Sequence, residues 1–151
     1  MRMSLDVDVA ADGVRLPLAR DRVAAVARGV LRAEGVRDAR LSIAFVSSRV
    51  IAAMNRRHLG HEGATDVLSF PLPAPAAGEP LGGDVYIAPD VARANAREHD
   101  VPVREELARL VVHGTLHVLG HEHPETSART ASPMWRRQEL LLARLAPEWK
   151  P

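Results

Sequence analysis

The chain has 151 residues, 46% of them hydrophobic and 26% charged, so it can bury a proper core and dominant disorder is excluded. It has no cysteine, which removes disulfides, thiolate metal sites and a cysteine nucleophile, and leaves histidine, carboxylate or water for any transition metal. The net charge of +1 carries no bulk nucleic-acid signature.

The length suits a single domain spanning residues 1–151. Lys150 is the only lysine, so nearly all the positive charge is arginine; this is as readily a composition bias as a set of phosphate-binding forks. No apolar run approaches the roughly 20 residues of a membrane span. Arg2 is followed by acidic alternation over residues 4–10, unlike a signal peptide, so a cytoplasmic protein without a membrane partner is expected.

In chain order, residues 4–10 alternate apolar and polar and predict a half-buried strand. Asp12-Gly13 marks a turn. Residues 17–34 carry Leu18, Val23, Val26, Val30 and Leu31 at helical spacing, with Pro17 suited to a first turn and Gly35 as the stop. Residues 40–46 predict a second strand, and Ser47 or Ser48 caps a helix running to about His58. Residues 65–70 form a third strand stopped by Pro71. Residues 72–81, rich in Pro, Ala and Gly, form a loop, and Asp84 begins a fourth strand after a Gly82-Gly83 turn. Pro89-Asp90 opens a helix to about His99. Pro102 opens a long helix ending near Gly120, followed by a loop over 121–126. Ser132-Pro133 caps a last helix reaching about Leu145. Strands three and four are joined by a loop alone, which predicts an antiparallel pair inside a mixed sheet. The expected fold class is α+β: a small mixed four-stranded sheet packed with about five helices.

Four of the seven histidines fall within His113–His123, in the run H-G-T-L-H-V-L-G-H-E-H. His113 and His117 lie four apart, on one face of a helix, with Cβ atoms about 5–6 Å apart. Gly120 lets the chain turn back, so that His123 can serve as a third ligand. Three neutral nitrogens leave a fourth tetrahedral position for water, the mark of a catalytic zinc site. Val103, Leu107, Leu110, Val111, Gly114 and Val118 form one apolar stripe, and Val112, Leu116 and Leu119 cover the other side. The second half of the helix is therefore buried, where histidines need partners. Ordinary capping or exposed histidines are the alternative reading. His121 is expected to line the loop, and Glu122 is a weaker ligand candidate.

Such a zinc ion acidifies water towards a pKa of about 7 and polarises a phosphoryl or carbonyl oxygen, so the implied reaction class is metal-assisted hydrolysis. Nickel, cobalt or copper would also accept three imidazoles. The H-E-x-x-H peptidase pattern requires glutamate where Gly114 stands, and a zinc deaminase requires cysteine. From the residues alone, the reading ends at a metallohydrolase.

The histidine run resembles the signature of the YbeY family. Two further stretches agree: Asn55 with Thr65–Pro71, and Gly83-Asp84-Val85-Tyr86-Ile87. Met134 and Glu139 suit the family's closing helix. The resemblance covers roughly residues 50–145; the first part matches in coarse pattern only. It implies a single-strand-specific endoribonuclease in ribosomal-RNA maturation, notably at the 3′ end of small-subunit RNA, and in ribosome quality control. Single-stranded RNA, ribosomal RNA and the small ribosomal subunit would be its partners. It further implies one zinc per chain on His113, His117 and His123, which would act through the ion's water, and a mostly parallel sheet with one antiparallel strand and a groove beside it.

There are departures. An arginine frequent in the family falls on Leu59, with Arg56 and Arg57 nearby as substitutes or as a solvated helix face. Glu122 stands where aspartate is usual, and His121 where tyrosine is common. Asn55, Arg56, Arg57, Asp66 and Ser69 are the substrate-side candidates; Asp66 could equally be a turn residue. With only five Phe, Tyr or Trp residues, RNA gripping would rest mostly on arginine and main chain. A metallohydrolase with another substrate and a ribosome-associated binding factor with a structural metal are the competing functions. Nothing in the residues sets an oligomeric state.

Overall fold

The computed structural model describes residues 3–73 and 76–151; Arg2 and the part of the predicted loop at 74 and 75 lie outside them. Four strands, β1 (Leu5–Ala11), β2 (Ala39–Phe45), β3 (Val67–Pro71) and β4 (Leu81–Ile87), form one sheet in the order β1-β2-β4-β3. β1 and β4 both run parallel to β2, and β3 pairs antiparallel with β4, Val67 opposite Ile87. The antiparallel pair and mixed sheet are as expected. β3 is an edge strand, where Pro71 can close the ladder without leaving a missing donor inside the sheet.

Helices α1 (Arg20–Ala33), α2 (Ser48–Leu59), α3 (Pro89–Glu98), α4 (Val103–Val118), α5 (Pro133–Arg144) and the short α6 (Ala146–Trp149) surround the sheet. A 3-10 helix, Ser127–Ala131, precedes α5. The 3-10 helix and α6 are additions to the sequence reading. The inward residues of the strands, Leu41, Ile43, Phe45, Val85 and Ile87, pack with Val23, Val26 and Val30 of α1 and with Leu107, Val111 and Leu116 of α4. Alternation of buried and exposed residues along β1 and β2 matches a sheet with its covered face on that core.

Three element boundaries differ from expectation. The first helix begins at Arg20, because Leu18 is fully buried from an extended approach ending at Ala19. Thr65 and Asp66 precede β3 instead of opening it. Gly82-Gly83-Asp84 is no turn: β4 starts at Leu81, and Asp84 sits mid-strand opposite Ser42 and Phe70. The glycines reflect close packing. A Cβ on Gly83 would lie 2.7 Å from Val118 Cγ1, and one on Gly114 would lie 2.6 Å from Val85 Cγ1. These two positions let α4 lie directly on β4 and bring its histidines beside the β3 edge.

Candidate metal centre

His113 and His117 project from the same face of α4, with ring centroids 4.6 Å apart. The helix then closes in a Schellman turn. His121 N–H donates to Leu116 O (3.0 Å), Gly120 N–H donates to His117 O (3.0 Å), and Gly120 takes a left-handed φ of 96°. That reversal returns His123 to the pair, its ring centroid 5.0 Å from His113 and 4.9 Å from His117. One nitrogen from each ring lies within 4.8 Å of the others, and all three residues are half-buried. Tetrahedral zinc with Zn–N near 2.0–2.1 Å needs nitrogens about 3.4 Å apart, a spacing that small side-chain rotations reach.

The ring polarity also fits a cation. Nδ1 of His113 lies 2.6 Å from Gln138 Oε1, and Nδ1 of His123 lies 2.9 Å from Pro124 O. The carbonyl of Pro124 only accepts, so His123 carries its proton on Nδ1 and frees Nε2. The Gln138 amide is oriented by its neighbour: Nε2 donates to Glu139 Oε2 (3.0 Å). Glu139 in turn accepts two bonds from Arg109, from Nε at 3.0 Å and from one terminal nitrogen at 3.1 Å, and Arg109 also holds Glu105 and Glu106. A carboxylate in such a fork cannot donate, so the amide presents its oxygen to His113.

Burial pushes His113 down to about 4, with the neighbouring rings adding and Gln138 opposing. Burial, then the His123 charge, lowers His117. Both are thereby neutral near pH 7, the form that binds a metal. Glu139 is buried against its charge, but the donors on Arg109 and Gln138 outweigh burial and hold it below the usual range. The convergence of the three rings, the ring orientation of His113 and His123 and the lowered basicity of His113 and His117 thus suit a divalent ion that accepts nitrogen ligands.

The cluster opens into a groove of about 810 Å³ whose walls come from the end of α2, from β3 and from the segment between Gly120 and Arg129. Asn55, 6% exposed, donates from Nδ2 to Gly63 O (3.1 Å) and so shapes the α2–β3 loop at the groove wall. Asp66 lines the groove, accepts from Asn95 Nδ2 (3.1 Å) and is raised by burial. Ser69 lines it from β3. Arg56 and Arg57 stand exposed on α2 and are not among the described residues lining the groove, whereas Leu59 is. His121 leaves the cluster to meet Glu34 (2.6 Å), which also pairs with Arg137 (2.8 Å), tying the loop to the end of α1 and to α5.

Sequence reading missed Gln138, Arg109 and Arg129 as parts of the site. Gln138-Glu139 stands one turn inside a helix, with no local sign that it reaches α4. Arg129 enters only because the 3-10 helix folds over the groove.

The family profile described as Endoribonuclease YbeY matches residues 12–146, extending the likeness well into the first part of the chain. The chain is 46% identical over 120 residues to Endoribonuclease YbeY of Anaeromyxobacter sp. (strain Fw109-5), covering 78% of this chain and 60% of that one. It is 44% identical to that of Anaeromyxobacter dehalogenans (74% and 56% covered), so the chain spans little more than half the length of these two relatives. Against Endoribonuclease YbeY of Salinispora tropica, identity is 37% over 143 residues, with 86% and 87% covered. A solution structure from Thermotoga maritima shares the fold at a TM-score of 0.64 and 24% identity, over 95% of this chain and 91% of that one. With a profile match across most of its length and a relative at 37% identity of which 87% is covered, the chain belongs to the endoribonuclease YbeY family.

Proposed function

We propose that residues 1–151 act as one domain, a zinc-dependent, single-strand-specific endoribonuclease. Its place would be ribosomal-RNA processing in the cytoplasm, including 3′-end maturation of small-subunit RNA, and ribosome quality control. The observation that supports this best is the convergence of three imidazoles in a groove roomy enough for an RNA strand.

His113, His117 and His123 would hold one zinc ion per chain. Bound there, zinc supplies charge to a phosphoryl oxygen and acidifies water at neutral pH. The chain's own residues do the remaining work. Gln138 and the Pro124 carbonyl orient two of the imidazoles, and the Arg109–Glu139 fork holds the Gln138 amide. Asn55 and Asp66 hold the groove wall in shape, and Ser69 offers a hydroxyl to the strand lying along β3. The edge position of β3 leaves that side open to an extended substrate. Gly114 excludes the glutamate base of zinc peptidases sterically as well as by sequence, since even a Cβ meets Val85.

The test is cleavage by the zinc-loaded protein of single-stranded RNA, duplex RNA, and ester and peptide substrates, with His117→Ala as the control. Cleavage restricted to single strands, and lost in a folded His117→Ala, supports the reading. Hydrolysis of an ester or peptide with RNA left intact replaces it by another metallohydrolase. Ribosome association and function retained in His113→Ala would instead identify a binding factor with a structural metal.

A further inference from the structure

The geometry points to Arg129 as the group that grips the phosphate in the groove, a substrate-contacting residue on the 3-10 helix. The inference rests on the phosphodiester reading above and adds a residue to it.

Four observations carry it. Arg129 is the one arginine or lysine among the described residues lining the groove, where Asp66, Glu122 and Glu125 contribute carboxylates. It lines at the same time the adjoining pocket of about 470 Å³, which shares Asp66, Val67 and His113 with the groove, so Arg129 stands at the junction of the two, where His113 also lies. Unlike Arg93, Arg109 and Arg137, it makes no ion pair among the described residues. Its guanidinium carbon lies 5.6 Å from the Trp135 ring centroid, a contact that steadies the side chain while leaving its N–H groups available.

A strand of RNA brings negative oxygens into a groove already carrying three carboxylates. One divalent ion does not answer both the scissile phosphate and its surroundings. A guanidinium fork matches two phosphate oxygens at once, and it gains strength as charge develops on them. The α2 wall contributes Asn55 and Leu59, neither of them charged, and Leu59 is 50% exposed. Arg129 is therefore the fixed cation available to the substrate, and Leu59 is a second place from which a guanidinium would enter the same groove.

The experiment measures binding of a labelled single-stranded oligoribonucleotide across a salt series, together with its cleavage and the zinc content, for wild type, R129Q, R129K and the double variant R129Q/L59R. Losing one phosphate contact lowers the slope of log affinity against log salt by about 0.7. The same loss cuts kcat/KM roughly 10- to 100-fold, with zinc content unchanged. R129K keeps the salt slope but recovers only part of the cleavage, lacking the fork. R129Q/L59R regains slope and part of the cleavage. If R129Q matches wild type in slope and kcat/KM on RNA that the wild type binds and cuts, the role of Arg129 is wrong while the nuclease reading stands. If the wild type neither binds nor cuts the RNA at any salt, the nuclease reading fails, and the role of Arg129 fails with it.

Discussion

His113 Nδ1 and Gln138 Oε1 lie 2.6 Å apart, joining α4 to α5 across 25 residues of sequence. The bond has a fixed polarity, because the amide's other end faces the Glu139 carboxylate that Arg109 clamps. The proton of His113 is thereby placed on Nδ1 and its lone pair on Nε2, towards His117 and His123.

Gln138→Met keeps the volume and removes the acceptor. Zinc affinity, measured by competition with a chromophoric chelator, is expected to fall 10- to 100-fold, the usual cost of losing an orienting partner. Glu139→Gln should fall less, since its amide can present either end to Gln138. Affinities of both variants within threefold of wild type would show that the ring needs no such partner.

The zinc-free protein should lose stability in mild acid. Burial lowers His113 from its usual 6.5 to about 4, so between those values the unfolded chain binds a proton that the folded chain does not. Its contribution is therefore fully present above pH 6.5 and is lost as the pH falls towards 4. Between pH 7 and pH 5 this one imidazole accounts for a loss of order 2 kcal/mol. Urea unfolding of zinc-free wild type and His113→Gln at the two pH values checks it: the wild type should lose more, and equal losses would contradict the assignment.

Gly114→Ala should destabilise the fold although alanine is the better helix former. The helix gains about 1 kcal/mol, but the new Cβ meets the β-branched Val85 at 2.6 Å, an overpacking that costs typically 1–3 kcal/mol and lifts α4 off the sheet. A lowered urea midpoint with weaker zinc binding is expected. An unchanged or raised midpoint would mean that α4 does not lie as closely on β4 as described.

Glu34→Ala frees His121 and Arg137 together. Because Glu34 is mostly buried between them, the expected loss is about 1–2 kcal/mol of stability. Zinc affinity should weaken as well, because the turn carrying His123 is no longer tied to α1. Hydrogen exchange over residues 119–125 reports the loosening directly; unchanged protection there would remove the link between the tie and the ligand.

Much of the site could be read from the chain because its signals are local. Two histidines four apart share a helix face whatever the helix packs on, and Gly120 turns the chain wherever the helix ends. Helix caps at Ser47 and Ser132 follow the same logic, each accepting a bond from three residues onward. The glycines before Asp84 misled, because a glycine pair in isolation signals a turn, whereas here Val118 of a distant helix requires the bare backbone.

The sequence by itself determined the histidine trio, the helices and strands that carry it, and the antiparallel partnership of β3 with β4. Only the tertiary structure decided that Gln138 reaches His113, that Arg109 locks Glu139, that Arg56 and Arg57 stay outside the groove and that Arg129 comes into it. The division follows from range. Backbone periodicity and capping depend on neighbours a turn away, whereas the orientation of a ring or the charge of a groove depends on side chains 25 or 30 residues distant, which only packing brings together.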